Sequence, residues 1–190
     1  MGLLNGKPST DYRALRSETL LSDLRYHGSA LPKVFGGLAN TFSYGGFSLY
    51  VNMTYKLGYF FRRESISYDQ LFNRWKGHSD FANRWQKPGD ELHTSVPSMV
   101  YPAVFGRDEL YANSAALVEK GDHIRLQDLN LTYRLQGKNL KPPFKDLQVY
   151  TNARNLGFLW RTTKTGLDPD YSSGYLPPSY SLSFGVRTNF

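Results

Sequence analysis

The stretch FSLYVNMTYKLGYFF, Phe47 to Phe61, decides the fold of this chain. Taken in steps of two it gives an unbroken apolar and aromatic series: Phe47, Leu49, Val51, Met53, Tyr55, Leu57, Tyr59 and Phe61. The positions between them are mostly polar and include Asn52, Thr54 and Lys56. A period of two belongs to a β-strand, whose successive side chains point to opposite faces. The stretch therefore predicts one long strand with an apolar face and a polar face.

A second alternating segment precedes this strand and is joined to it by Gly45-Gly46. A two-residue Gly-Gly link is a hairpin signal, because the primed turns that connect hairpin strands need positive φ. Such a turn places Tyr44 opposite Phe47 and Phe42 opposite Leu49. The apolar side chains of both strands then fall on the same face.

Alternation returns further along the chain, so five strands are predicted. They span about 38–44, 46–61, 123–135, 147–158 and 179–190. The third strand slips by one residue near Gln127-Asp128, which is typical of a β-bulge. The links alternate short and long: a long outer loop of about 62–122 contains a predicted short helix, Ser67 to Trp75, and a second long loop runs from Trp160 to Pro178. Alternating short and long links are typical of outer-membrane barrels.

The length of the strand at 47–61 favours a membrane barrel over a soluble β-sandwich, whose strands also alternate. At about 3.3 Å per residue and a tilt of about 40°, fifteen residues rise roughly 38 Å, whereas globular strands have about five or six residues. Aliphatic side chains between aromatic ends suit a lipid bilayer. The predicted membrane-facing residues are Phe47, Leu49, Val51, Met53, Tyr55, Leu57, Leu182, Phe184 and Val186.

The predicted fold class is therefore all-β, an antiparallel transmembrane β-barrel segment. Five strands cannot close a barrel, which needs at least about eight. We expect residues 1–190 to form the carboxy-terminal portion of a larger barrel. The amino terminus, MGLLNGKPSTDYRAL, lacks a basic region followed by an apolar core, so no signal peptide is expected in it.

Four segments together resemble the SusC/RagA family of TonB-dependent outer-membrane transporters. They are LPKVFGGLANTFSYGGFSLYVNM (31–53), NRWQKPGDELHTSVP (83–97), VEKGDHIRLQDLNLTYRL (118–135), and LQVYTNARNLGFL (147–159) with DPDYSSGYLPPSYSLSFGVRTNF (168–190). Residues 1–30 carry no matching motif. His123 stands where the family usually has an aromatic residue, and Gln136 stands where proline is common.

The resemblance implies a 22-stranded barrel filled by an amino-terminal plug. It implies a transporter that imports oligosaccharides or peptides across the outer membrane of a Gram-negative cell, together with a SusD-like surface lipoprotein. TonB would act through the plug, and this chain would supply the last five strands without plug or signal peptide. The terminal Phe190 would be the barrel-assembly signal. Outer-membrane lipid and a glycan or peptide ligand are the other expected partners.

Motifs for catalysis, cofactors and nucleic acid are missing from the sequence. There is no GxGxxG, Walker or nucleophile-elbow motif, so an enzyme is not expected and no cofactor is predicted. The chain has no cysteine, and its four histidines lack zinc-ligand spacing. Turn chemistry explains Asp168-Pro169-Asp170 better than a calcium site. The net charge of +7 is spread along the chain, which argues against nucleic-acid binding.

Four aromatic residues outside the predicted strands are candidate ligand contacts: Trp75, Trp85, Trp160 and Tyr171. Their rings are suited to stacking on sugars or packing against a lid protein, although folding of the loop onto itself explains Trp75 and Trp85 equally well. The alternative to a transporter segment is a soluble extracellular β-domain that binds carbohydrate or acts as an adhesin.

Overall fold

The computed structural model describes residues 2–4, 6–136, 143, 145–171 and 175–189. The strands are β1 Gly2–Leu4, β2 Lys7–Ser9, β3 Val34–Tyr44, β4 Phe47–Leu57, β5 Phe60–Arg62, β6 Val118–Lys120, β7 His123–Gln136, β8 Asp146–Arg161 and β9 Ser181–Asn189. The α-helices are α1 Tyr12–Ser17, α2 Tyr68–Arg74 and α3 Arg107–Ala112. Short 3-10 turns cover Leu21–Asp23, Ser79–Asn83, Asp90–Leu92, Ala115–Leu117 and Pro169–Tyr171.

The chain divides into two compact units. The first, here called the loop unit, comprises residues within 1–27 and 61–119. The second, the sheet unit, comprises residues within 28–60, 120–171 and 175–190. Among the described residues, no helix is both long and apolar enough to cross a membrane.

The sheet unit is built on one five-stranded antiparallel sheet in the order β3-β4-β7-β8-β9. The predicted hairpin between β3 and β4 is confirmed, with Tyr44 opposite Phe47 and Phe42 opposite Leu49. Its turn residues Gly45 and Gly46 have φ of 56° and 87°, a backbone region that favours glycine.

The single strand predicted over 46–61 is wrong at its carboxyl end. β4 stops at Leu57, and Gly58 follows with φ of 77°, which breaks the extended run. Residues Phe60–Arg62 form the separate strand β5, which pairs with β6. Tyr59 and Phe61 belong to the predicted apolar face, but only 4% and 9% of their surface is exposed. They are core residues rather than lipid-facing ones.

The predicted bulge in β7 is confirmed. Asn52 pairs with Asp128 and the adjacent Met53 pairs with Leu126, so Gln127 is the extra residue. The pairing of β7 with β8 shifts at the same place. An inserted residue of this kind returns the apolar side chains of β7 to one face on both sides of the slip.

Other strand boundaries differ from the prediction by a few residues. β3 begins at Val34 and β8 extends to Arg161, so Trp160 lies in a strand and not in a loop. Phe190 and most of the short turn predicted over Gly137 to Asp146 fall outside the described residues.

The loop unit has a small core of its own, which the sequence pattern does not reveal. Ile66, Tyr68 and Val96 are buried at its centre. The predicted short helix is confirmed as α2, and the Gln70 amide donates to the Ser67 hydroxyl at 3.3 Å as a helix cap. The buried Tyr68 hydroxyl donates to the Pro97 carbonyl at 2.6 Å. Residues 61–119 therefore contain a packed core.

Residues 2–27 also take part in the loop unit. β1 and β2 form a hairpin, and α1 follows, capped by the Asp11 carboxylate, which accepts from the Arg13 and Ala14 amides at 3.1 and 2.9 Å. α1 is held to α3 by the ion pair of Arg16 with Glu109. No motif in the sequence predicted these contacts.

Candidate functional site

The first candidate functional surface is the apolar face of the five-stranded sheet. The strand register aligns its side chains in rows across four strands. The rows are Phe47, Tyr133, Val149 and Val186; Leu49, Leu131, Thr151 and Phe184; and Val51, Leu129, Ala153 and Leu182. The nine residues predicted to face a membrane therefore share one face of the sheet.

This face is exposed over most of its extent. Phe42 on β3 and Phe184 on β9 expose 59% and 74% of their surface. Val51, Met53, Tyr55 and Leu57 on β4 are half-buried. An apolar surface this continuous is rare on soluble monomers and usually marks an interface with a membrane or another protein.

The opposite face carries a network of polar side chains across β4, β7 and β8. Asn52 Nδ2 donates to Asp128 Oδ2 at 2.9 Å, and Gln127 Nε2 donates to Thr54 Oγ1 at 3.2 Å. Asn130 is hydrogen-bonded to Asn152 on the next strand. A shallow cavity of about 420 Å³ lies beside these groups. The side chains of this face satisfy one another while leaving groups accessible to solvent or a ligand.

Tyrosine rings lie over glycines in three places in the sheet unit. Gly185 pairs with Tyr150, and a Cβ added at Gly185 would overlap the Tyr150 ring. In the same way Tyr55 lies over its partner Gly36, whose Cβ would come within 2.7 Å of the Tyr55 hydroxyl, and Tyr59 lies over Gly121. The missing side chain is what allows each ring to lie flat against the backbone.

A cluster of charges fixes residues 162–171 to the ends of β4 and β7, and we call it the charged cluster. Both oxygens of Asp168 accept from Arg125 Nη2, each at 2.7 Å. Asp170 Oδ1 accepts from Lys56 Nζ at 2.8 Å, and Asp170 Oδ2 lies 3.5 Å from His123 Nε2. Burial would raise the pKa of Asp170, but His123 and Lys56 outweigh it and hold the pKa at about 2.

His123 is the centre of this cluster, with 1% of its surface exposed. Its Nδ1 lies 2.9 Å from the Gly121 carbonyl and 3.2 Å from the Tyr59 hydroxyl. The ring meets Phe158 edge-on with centroids 5.2 Å apart. The imidazole thus packs as an aromatic residue would, and it adds a contact with Asp170.

Asp122, next to His123 in the chain, contacts a backbone amide and a lysine side chain. Its Oδ1 accepts from the Gly58 amide at 2.7 Å, and its Oδ2 lies 2.8 Å from Lys120 Nζ. Burial would raise the pKa of Asp122, but Lys120 and the Gly58 amide hold it below its ordinary value. Asp122 thus stabilises the bend at Gly58 that ends β4.

The two carboxylates that the sequence offers as calcium ligands form ion pairs with side chains of the protein instead. Asp168 pairs with Arg125, and Asp170 pairs with Lys56 and His123. In the part of the chain that the structure describes, no group of three or more His, Cys, Asp or Glu side chains is arranged to hold a metal ion.

The four aromatic residues predicted to contact ligand lie in both units. In the loop unit, Trp75 caps α2 in the left-handed conformation and is 91% exposed, whereas the Trp85 indole donates to Glu91 Oε2 at 2.9 Å. In the sheet unit, Trp160 on β8 pairs with Ile124 on β7, and Tyr171 ends a 3-10 turn beside Asp170. Trp75 is therefore the one of the four whose ring is almost fully presented to solvent.

A groove in the loop unit was not predicted. It encloses about 730 Å³ and is lined by residues between Arg62 and Leu117, including Glu64, Asp69, Lys76 and Phe105. These residues come from separate segments with no common period, so the sequence pattern gives no signal for the groove.

Comparisons with known proteins agree with this architecture. No protein-family profile matches the chain. Over 233 residues, covering all of this chain, it is 22% identical to a TonB-dependent receptor of Formosa agariphila, and it spans 22% of that receptor.

Solved structures show the same fold. The chain is similar to the RagAB peptide importer in its closed-closed state, with a TM-score of 0.61 and 23% identity over 92% of this chain and 19% of that one. The open-open state gives a TM-score of 0.56 and 24% identity, with the same coverage. The RagAB peptide transporter gives 0.55 and 22%, over 88% of this chain and 18% of that one. The chain spans about a fifth of the length of these proteins.

Proposed function

We propose that this chain is the carboxy-terminal portion of the β-barrel of a SusC-like, TonB-dependent outer-membrane transporter. The observation that carries the proposal is the register of the sheet, which places apolar side chains of all five strands on one face and polar side chains on the other. The similarity to a TonB-dependent receptor and the fold shared with RagAB support it.

The dimensions of β4 are compatible with a bilayer even after its shortening. Its eleven residues extend about 36 Å, or about 28 Å in height at a tilt of about 40°. An outer-membrane barrel presents an apolar band of about 25 Å. In this arrangement the nine predicted residues face lipid, and the network of Asn52, Asp128 and Asn130 lines the barrel interior.

The activity of the whole transporter is the import of oligosaccharides or peptides with a SusD-like surface lipoprotein, driven by TonB through the plug. This proposal is supported by the similarity to a TonB-dependent receptor and by the fold shared with RagAB, a peptide importer. The chain contributes barrel wall and outer loops to this process and has no enzymatic role. We further propose that Phe190 is the barrel-assembly signal and that Trp75, Trp85, Trp160 and Tyr171 contact ligand or lid.

Detergent dependence tests the proposal. We expect the purified chain to stay folded only in detergent micelles or lipid vesicles, because an exposed apolar sheet face aggregates in buffer. Circular dichroism and light scattering with and without detergent provide the measurement. Recovery of a folded monomer in plain buffer would overturn the proposal in favour of a soluble extracellular β-domain that binds carbohydrate or acts as an adhesin.

A further inference from the structure

We propose that the groove of the loop unit is a binding site for a short peptide with free, charged ends. The groove encloses about 730 Å³, within the range of about 300–1,000 Å³ that small-ligand sites occupy. Its wall comes from three segments, 62–70, 76–78 and 103–112, with Leu117 beside them. The inference rests on the proposed function, which gives peptides and oligosaccharides as the candidate ligand classes.

Several charges in the groove wall are committed to holding the loop unit together. Arg63 pairs with Asp80 and lies 3.2 Å from Glu119, and Glu109 pairs with Arg16 of α1. Asp108 Oδ2 accepts from the Ser67 hydroxyl at 3.0 Å and from the Asp69 amide at 2.8 Å. These contacts connect the segments and give the groove a fixed wall.

Other charges in the groove remain available to a ligand. Among the described residues, no ion pair involves Lys76 or Glu64, and both side chains are exposed. Arg62 donates to the Asn113 side-chain oxygen at 3.0 Å, and Asp69 accepts from the Asn73 side-chain amide at 2.8 Å, so the contact of each is with a neutral group. The groove therefore presents two cations and two carboxylates, none of which forms an ion pair within the part of the chain that the structure describes.

This mixture of charges distinguishes between ligand classes. A neutral oligosaccharide only exchanges hydrogen bonds with water for hydrogen bonds with the groove. A peptide brings an ammonium and a carboxylate, which form stronger charge-assisted hydrogen bonds with Glu64 or Asp69 and with Lys76 or Arg62. Complementary charge thus favours the peptide.

An apolar contact is available in the same groove. The Phe105 ring lines it and is 84% exposed, while Ile66 and Leu117 close its base as buried residues. An exposed aromatic ring beside polar groups is a common composition of ligand and protein interfaces. Phe105 is suited to cover an apolar side chain of the peptide while the charges hold its ends.

The test is a calorimetric titration of the full chain in detergent micelles at low ionic strength. The probes are tetra-alanine with free ends, the same peptide acetylated and amidated, and maltotetraose. We expect saturable binding of the free-ended peptide and about tenfold weaker binding of the blocked one, which is the loss of one or two charge-assisted hydrogen bonds. Maltotetraose should bind more weakly than the free-ended peptide.

Substitutions in the groove wall test whether the peptide binds there. Lys76→Gln and Glu64→Gln change exposed side chains in the groove, and each should weaken binding of the free-ended peptide by about tenfold. Lys87→Gln is the matched control, because Lys87 is exposed in the same unit but does not line the groove. Equal affinity for free and blocked peptides, absence of saturable binding, preference for maltotetraose, or unchanged affinity in both groove variants would each overturn the inference.

The two proposals fail separately in these experiments. Binding in micelles requires neither insertion into a membrane nor transport. A chain that is soluble and monomeric but binds the peptide would remove the barrel and leave the groove. A chain that needs detergent but binds no peptide would remove the groove alone.

Discussion

At the scale of single residues, Met53 and Asn52 test which face of the sheet meets lipid. Met53 lies near the middle of β4 on the apolar face, between Leu38 and Leu126, whereas the Asn52 side chain donates to Asp128 on the other face. In an intact barrel in lipid vesicles, we expect Met53→Arg to cost about 2–4 kcal/mol of unfolding free energy, because the charge enters the apolar band. Asn52→Arg should cost much less. Urea titration in vesicles measures both losses, and equal losses would show that the faces of the sheet have been misassigned.

The glycine beneath Tyr150 makes a second residue-scale prediction. Gly185→Ala should destabilise the chain by about 1–3 kcal/mol, because the new methyl group overlaps the Tyr150 ring. Gly77→Ala is the control, since a Cβ there meets no atom within 4 Å. In a double-mutant cycle, Tyr150→Ala should remove most of the Gly185→Ala penalty. Additive losses would show that the ring does not need this space.

Single residues also show which features of the sheet could be predicted from the sequence and which could not. Alternation and the length of the glycine turn predicted the partners of Phe47 and Leu49, because the two together determine register. Alternation also predicted the slip at Gln127. Alternation could not predict that β4 ends at Leu57. Tyr59 and Phe61 continue the apolar period, but the left-handed Gly58 turns them into the protein core. A periodic pattern does not distinguish a lipid-facing side chain from a buried one.

At the scale of elements, the charged cluster determines where residues 162–171 lie. Because the pKa of Asp170 is lowered from 3.8 to about 2, its stabilising contribution is complete above about pH 4 and is lost as the pH falls toward 2. We expect the difference in unfolding free energy between the native chain and Asp170→Asn to shrink as the pH falls from about 4 toward 2. Denaturant midpoints measured across this range provide the test. A difference independent of pH would exclude Asp170 as the responsible group.

Contacts between segments that lie far apart in the chain were predicted least well from the sequence. The cap at Ser67 identified α2, because capping is a local signal. The groove residues Glu64, Lys76 and Phe105 meet only through packing around Tyr68, which is a long-range consequence of the fold. Likewise, the pairing of Arg125 with Asp168 joins residues that are 43 positions apart. No spacing rule connects such residues before the chain is folded.

At the scale of the whole molecule, the sheet predicts an alternating pattern of lipid contact. The native chain has no cysteine, so single cysteines can be introduced and labelled with a fluorophore. We expect labels at Leu49→Cys and Phe184→Cys to be quenched strongly by brominated lipid, because both belong to one row of the apolar face. Labels at Ser48→Cys and Ser183→Cys, on the opposite face, should be quenched weakly. Quenching without a dependence on face would contradict insertion as a barrel wall.

The pairing of β5 with β6 has a consequence for how such a protein diversifies. The chain leaves the sheet through Phe60–Arg62 and returns through Val118–Lys120, and these two short strands are hydrogen-bonded to each other. A module whose two ends are fastened side by side can be exchanged without altering the register of its host. The two ends of the 61–119 segment therefore lie side by side where it leaves and rejoins the sheet, so changes of length within it are compatible with an unchanged strand register.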